Sequence, residues 1–319
     1  MSDAILFDRD QVERLDDIAD RPHRLRGGKL LWVDVDRKSQ ESADEVAEAF
    51  GLDSRTRECL AHSKDRAIFH DHGRYIHLTT YAPHEDDEGK LIALECVVGE
   101  NWVVTAHDEP IPVLEEFAQR VSGSGDTGSL DGPKFLAALL EWVLGSYSNA
   151  FERIEQRLEE FDIQAMRGDG DEEKDIERLI DLRKQVGNLR RALTAHRSAL
   201  VSLTHPELEA LGDHAASERF QSVLSRFEST VQEARDARDA IVGSFDVLIA
   251  RGGHRTNEIM KVLTLTSVIL LPGALIAGVM GMNFKVGFFD EPGNFWIVVL
   301  AMLGLAALIL GFARFRRWI

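Results

Sequence analysis

Residues 262–280 read VLTLTSVILLPGALIAGVM, and residues 281–283 continue with GMN. The nineteen residues of the first stretch carry no charge, close to the ~20 that a helix needs to cross the hydrocarbon of a bilayer. A second uncharged run of the same length, FWIVVLAMLGLAALILGFA, occupies 295–313 and is followed by RFRRWI at 314–319. Arg251, Arg255, Lys261, Arg314, Arg316 and Arg317 flank the pair on one side and only Lys285 on the other. By the preference of basic residues for the cytoplasmic side, both termini are expected in the cytoplasm. Phe288, Phe289, Phe295 and Trp296 fall at the outer interface, and Phe312, Phe315 and Trp318 at the inner one, where aromatic rings prefer to lie. A buried hairpin of a soluble protein is the alternative, and the basic and aromatic flanks argue against it.

Working upstream, the segment 207–261 contains no proline after Pro206. Phe220, Leu224, Phe227, Val231, Ala234, Arg238, Ile241, Phe245 and Leu248 alternate in steps of four and three, a heptad seam interrupted by Arg238. One helix is therefore expected from about Glu207 through the first span, its seam serving either a bundle within the chain or an interface between copies. Phe135, Leu139, Trp142, Phe151, Ile154, Leu158 and Phe161 form a helical stripe. RGDGD at 167–171 breaks it, and 175–203 resumes as a second, antiparallel helix. The first third mixes β-branched and aromatic runs at 30–35, 67–69, 75–81, 91–98 and 102–106 with helical spacing at 39–50, 54–62 and 111–121. His72-Gly73 and Gly99-Glu100-Asn101 read as hairpin turns.

The resulting organisation is an α+β (mixed α/β) cytoplasmic domain over 1–129 and an antiparallel helical pair over 130–206. The cytoplasmic part of a long stalk helix follows over 207–261, then a transmembrane helix over 262–280. An extracytoplasmic loop with GMN spans 281–294, a second transmembrane helix 295–313, and a basic cytoplasmic tail 314–319.

Charge and composition narrow the function. The chain carries a net charge of −17; from Ile259 onward five basic residues face two acids, leaving +3 there and −20 on the rest. Such an acidic body repels phosphates, so no nucleic acid partner is expected; a cation fits better, and simple solubility is the alternative reading of the same charge. Only Cys59 and Cys96 are present, without a CxxC, which indicates neither a disulfide framework nor a thiolate zinc site. The N-terminal MSDAILFDRDQVERLDD lacks an apolar run after a basic start, so no cleavable signal is expected. His70-Asp71-His72 reads as a polar hairpin tip rather than a metal cluster. RGGK at Arg26 lacks the frame of a phosphate loop, and neither GxSxG nor HExxH occurs. No enzyme activity and no cofactor are expected.

Two helices cannot enclose a water-filled path, so conduction requires several chains, each giving one span to a common axis. On the first span Thr264, Ser267, Leu271, Ala274 or Leu275, and Gly278 share one face that ends at Gly281-Met282-Asn283. The face carries no carboxylate, so a naked divalent ion finds no strong ligand there, whereas a hydrated one finds hydrogen-bonding groups in Thr264, Ser267 and Asn283. Rings of Leu263 or Leu271 would close such a path by dewetting; equally, both leucines suit lipid. Asp290 and Glu291 either concentrate cations at the mouth or are solvated turn residues.

HRTNEIMKVLT at 254–264 and LLPGALIAGVMGMNF at 270–284 closely resemble the CorA family, whose hallmark is Gly-Met-Asn at the end of the first of two C-terminal spans. LLWVDVD at 30–36, NWVVTAHDEPI at 101–111 and the long stalk resemble that family's cytoplasmic part in order and length. The resemblance implies a homopentamer with a funnel-shaped cytoplasmic domain in the cell inner (plasma) membrane, moving Mg2+ and in some members Co2+ or Ni2+ inward. It further implies that Asn283 stands in a ring of amide oxygens holding the ion through its hydrating water, and that Gly281 permits close backbone approach. Asn257, Leu263 and Leu271 fall on the family's constrictions. The chain departs from a well-studied branch at Leu271, where that branch has methionine, and at Ser222, where it has a regulatory metal-binding aspartate. Lys285 follows GMNF where an acid is common. RKQVGNLRR at 183–191 and the closing RRWI resemble the ZntB branch, which implies proton-coupled Zn2+ transport as an alternative. A membrane-anchored sensor is the alternative from another class.

Overall fold

The computed structural model of the protein describes residues 2–8, 11–15, 25, 29–37, 40–62, 68–84, 89–123, 131–167, 171–205, 214–282 and 292–316. The chain divides into two compact units, 1–245 and 246–319.

The first unit is built on a seven-stranded sheet: β1 (Ser2–Asp8), β2 (Gln11–Leu15), β3 (Lys29–Asp36), β4 (Phe69–Asp71), β5 (Ile76–Pro83), β6 (Leu91–Val98) and β7 (Trp102–His107). Their order is β2-β1-β3-β7-β6-β5-β4, with β3 and β7 parallel and every other pair antiparallel. The helices are α1 (Gln40–Ala49), α2 (Ser54–Ala61), α3 (Pro112–Gly123), α4 (Gly132–Arg167), α5 (Glu172–Leu203), α6 (His214–Met280) and α7 (Pro292–Phe315). This mixed α/β body, long helix and apolar C-terminal helix are the fold class that the sequence leads one to expect.

Alternation along the strands sorts the core into two layers. Leu31, Val33 and Val35 of β3 join Val97, Val104 and Ala106 under Ala43, Val46 and Ala47 of α1. The opposite face carries Trp32 between Phe117 of α3 and Phe135 of α4, at centroid distances of 6.3 and 5.2 Å. Such aromatic pairs add about 0.5–1.5 kcal/mol each beyond the area they bury. The start of α4 is pinned to the β6–β7 turn: Gly132 N–H donates to the Glu100 carbonyl at 2.8 Å. A Cβ on Gly99 would collide with the Trp102 ring, and one on Gly132 with the Gly99 carbonyl.

Two buried polar networks tie the layers together. Arg37, at the end of β3, donates from Nε to the Leu60 carbonyl at 3.1 Å and from a guanidinium nitrogen to the Cys59 carbonyl at 2.8 Å, capping the last turn of α2. The same guanidinium lies 3.4 Å from Glu95 and 3.2 Å from Asp108. Glu95 is fully buried and accepts from Thr79 Oγ1 at 2.7 Å, with His77 Nε2 at 3.0 Å. Across the sheet, Trp32 Nε1 donates to Thr105 Oγ1 at 2.9 Å, Thr105 donates to Asp34, and His107 Nε2 meets Asp34 at 3.0 Å. Burial disfavours the His107 imidazolium, but its bond to Asp34 and the charges of Asp34 and Asp36 outweigh that and hold its pKa above the ordinary value.

Helices α4 and α5 run in opposite directions: Gln164 meets Arg178, and Tyr147 meets His196 further along. His196 completes the sheet edge. Its Nε2 accepts from Tyr81 N–H at 3.0 Å while Tyr147 Oη donates to the Tyr81 carbonyl at 2.8 Å. Two side chains thereby satisfy the outward backbone groups of a strand that β4 pairs only over Ile76–Leu78. Full burial lowers the His196 pKa to about 4, keeping the ring neutral as an acceptor.

The seam on α6 differs from the expected one. The buried residues are Phe220, Val223, Phe227, Thr230, Ala234, Ala237, Ile241, Ser244 and Leu248, whereas Leu224, Val231 and Phe245 are half-buried and Arg238 is exposed. Phe220, Phe227, Ala234, Ile241 and Leu248 are buried as expected, while small Thr230, Ala237 and Ser244 join them and Leu224, Val231 and Phe245 fall to the flank. The N-terminal pair β1 and β2, read above only for the lack of a signal, is a further difference. The short strand expected at 67–69 stands at Phe69–Asp71.

Candidate functional site

Helices α6, whose C-terminal part lies in the second unit, and α7 are both long and apolar enough to cross a membrane. Leu265, Ile269, Pro272, Gly273, Ile276 and Met280 of α6 are half-buried, as are Val298, Met302, Ala306 and Ile309 of α7, and Ala313 is buried. The Met302 methyl stands 3.3 Å from where a Cβ on Gly273 would be. These two rows are the faces through which the helices meet.

Thr264, Ser267, Leu271 and Gly278 lie on the other side of α6. At 100° per residue their mean direction is roughly 180° from that of the row facing α7. Leu263 and Asn257 stand at the two margins of this open face. Asn257, Leu263, Thr264, Leu271, Gly278, Gly281 and Met282 are exposed, Leu263 at 59% and Leu271 at 67%. Ser267 is half-buried, and the helix gathers these expected residues on one side. Asn283, Asp290, Glu291 and Lys285 lie outside the described residues.

The hydroxyls on α6 have a definite polarity. Ser267 Oγ donates to the Leu263 carbonyl at 2.9 Å, and Thr266 Oγ1 to the Val262 carbonyl at 2.8 Å. With its proton committed, the Ser267 oxygen offers only lone pairs outward. A hydrated cation presents water hydrogens, so an acceptor is what it requires. Pro272 sits inside the helix and has no N–H, which deprives the Val268 carbonyl of its helical donor. Neither feature emerged from counting apolar periodicity, although a Ser or Thr inside any helix carries the signal.

Ser222 lines a cleft of about 750 Å3 in the first unit together with Ser225, Arg226 and Ser229 of α6, Glu116 of α3 and Glu141 of α4. Arg226 donates from that cleft to Ser148 Oγ at 3.2 Å. Among the described residues no group of three or more His, Cys, Asp and Glu side chains is disposed to hold a metal. At the hairpin tip Asp71 Oδ1 accepts from Gly73 N–H at 2.8 Å, while His72 Nδ1 meets Asp53 at 2.8 Å and its ring stacks on Tyr75. The three residues of His70-Asp71-His72 do not converge on one point; Asp71 and His72 hold the turn and tie it to the start of α2.

Comparison with known proteins agrees with this architecture. The family described as CorA-like Mg2+ transporter protein matches residues 27–317, and the chain belongs to that family. The cobalt/magnesium transport protein CorA of Methanocaldococcus jannaschii is 23% identical over 321 residues, spanning 99% of this chain and 98% of its own length. The complete structure of the CorA magnesium transporter from the same organism has a TM-score of 0.81 at 21% identity, covering 99% of this chain and 98% of that one. The ZntB cytoplasmic domain from Vibrio parahaemolyticus has a TM-score of 0.62 at 13% identity, covering 79% of this chain and 98% of that one. At these identities both structural likenesses are likenesses of fold.

Proposed function

We propose that this protein is a subunit of an oligomeric channel for divalent cations, Mg2+ foremost with Co2+ or Ni2+ as further cargo, whose aqueous path is lined by the open face of α6. The observation that carries this reading is the position of Thr264, Ser267 and Gly278 opposite the contact with α7. In a lone chain these polar and small groups would face lipid; around a shared axis they face water. Family membership and the transport activity named for its M. jannaschii relative support the same reading. The number of copies, five, comes from the resemblance.

The ion keeps its water. Asp290 and Glu291 raise its concentration at the outer mouth, and Asn283 amide oxygens accept hydrogen bonds from its hydration shell. Further in, Ser267 repeats that acceptance with an oxygen whose own proton is already used. Leu263 and Leu271 close the path by dewetting. With both termini in the cytoplasm, a divalent ion moving inward gains about 4.6 kcal/mol per 100 mV.

Asn283→Ala in proteoliposomes tests the reading: divalent uptake is expected to fall at least tenfold, whereas a membrane-anchored sensor would tolerate the change. The fold shared with a ZntB domain makes one control necessary. Uptake of Mg2+ that follows imposed voltage and ignores a pH gradient is expected; Zn2+ uptake strictly dependent on the pH gradient would establish a proton-coupled carrier instead.

A further inference from the structure

Helix α6 is weakened at two places, and every constriction residue assigned above on α6 lies between them. Gly252 and Gly253 are consecutive inside the helix, where glycine is the least favourable residue after proline. A Cβ at Gly253 would meet nothing within 4 Å, so close packing does not demand glycine there. Thr256 Oγ1 donates to the Gly252 carbonyl at 2.9 Å, competing with the main-chain donor for it. From Gly253 to Thr264 every residue is exposed, so among the described residues nothing packs over this stretch. The second place is Pro272-Gly273, where the Val268 carbonyl loses its donor and a second flexible residue follows.

Between these joints, 254–271 reads HRTNEIMKVLTLTSVILL, without glycine or proline and roughly 27 Å long at 1.5 Å per residue. It holds Asn257, Leu263, Thr264, Ser267 and Leu271. Gly243 also has room for a Cβ, but buried Ile241, Ser244 and Leu248 hold the helix around it.

We infer that residues 254–271 move as one rigid rod, pivoting at Gly252-Gly253 and at Pro272-Gly273, and that this movement opens and closes the constriction. The inference rests on the channel reading and adds its moving part.

The test uses the full chain in lipid, with hydrogen exchange of the peptides 250–257 and 258–264 and Mg2+ uptake reported by a fluorescent indicator. In the wild-type protein 250–257 is expected to exchange faster than 258–264. Gly252→Ala with Gly253→Ala should raise protection of 250–257 by roughly 15- to 30-fold, from the helix propensities of the two residues. The same change, and separately Pro272→Ala, should alter Mg2+ flux at least fivefold, upward if the rod is held open and downward if closed. Gly243→Ala should leave flux unchanged. Gly253→Ala alone, for which there is room, serves if the double variant does not assemble. Even exchange across both peptides, or stiffened variants with wild-type flux, overturns the inference while leaving the channel reading intact. A wild-type protein that passes no divalent ion ends both.

Discussion

Replacing Arg37 by methionine keeps much of the stem and removes the guanidinium. Three things then lose their partner together: the Glu95 carboxylate, fully buried 3.4 Å away, and the Cys59 and Leu60 carbonyls at the end of α2. Thr79 and His77 remain on one Glu95 oxygen, but the charge keeps no cation beside it. Breaking a buried pair in this way costs about 3–5 kcal/mol. At about 2–4 °C per kcal/mol for a unit of this size, the apparent Tm is expected to fall by roughly 6–20 °C. Thermal unfolding of the detergent-solubilised full chain, followed by circular dichroism, reads the effect. Adding Glu95→Gln to Arg37→Met removes the stranded charge and is expected to restore at least 2 kcal/mol of the ~3–5 lost. A single variant within about 1 kcal/mol of wild type, or a double variant no better than the single, would refute the assignment of Arg37 as the partner that makes buried Glu95 tolerable.

Other consequences concern pH and the contact between the two spans. His196 has its pKa lowered to about 4 by burial, so below the unfolded value near 6.5 the unfolded chain binds a proton that the folded one refuses. Stability therefore falls as pH drops from about 6.5 to 4, by about 3 kcal/mol in all, and His196→Phe should flatten that part of a denaturation profile. His107 has its pKa raised by Asp34 once burial is overcome, so its contribution is complete below the unfolded pKa and is lost as pH rises through the folded one. Asp34→Asn should remove that dependence, in the sense opposite to His196. Gly273→Ala is expected to be mild because the Met302 methyl at 3.3 Å is the end of a flexible chain. Gly273→Leu should cost about 1–3 kcal/mol by overpacking, and Met302→Ala should offset it, both read as thermal stability in detergent.

The spans were legible because a bilayer tolerates only one kind of segment, and nineteen uncharged residues with basic flanks satisfy that demand from composition alone. The mixed α/β order was legible from the β-branched and aromatic runs that form β3, β5, β6 and β7. Strands β1 and β2 were missed because SDAILFD and QVERL mingle charges with apolar residues, and only the pairing of Ala4 with Val33 and Leu15 shows which face is buried. The seam of α6 was legible at Phe220, Phe227, Ala234, Ile241 and Leu248 and missed at Thr230, Ala237 and Ser244, because apolar size was the criterion and small or polar residues carry no such signal. Arg37 with Glu95 and His196 with Tyr81 were out of reach, since partners 58 and 115 residues apart meet only through the tertiary fold. At the site, periodicity and the GMN motif located the face, but spacing alone did not separate a face turned to water from one turned to lipid. The position of α7 shows only which side of α6 the chain itself occupies; water on the remaining side is what we propose.

Single cysteines placed around α6 test that face most directly. Cys59 and Cys96 are buried and give little background. In proteoliposomes conducting Mg2+, a charged, membrane-impermeant thiol reagent is expected to block flux through Thr264→Cys, Ser267→Cys and Leu271→Cys, and to leave Ile269→Cys and Ile276→Cys conducting. Block confined to positions 269 and 276, or absent everywhere while the protein conducts, would contradict an aqueous path along the open face of α6.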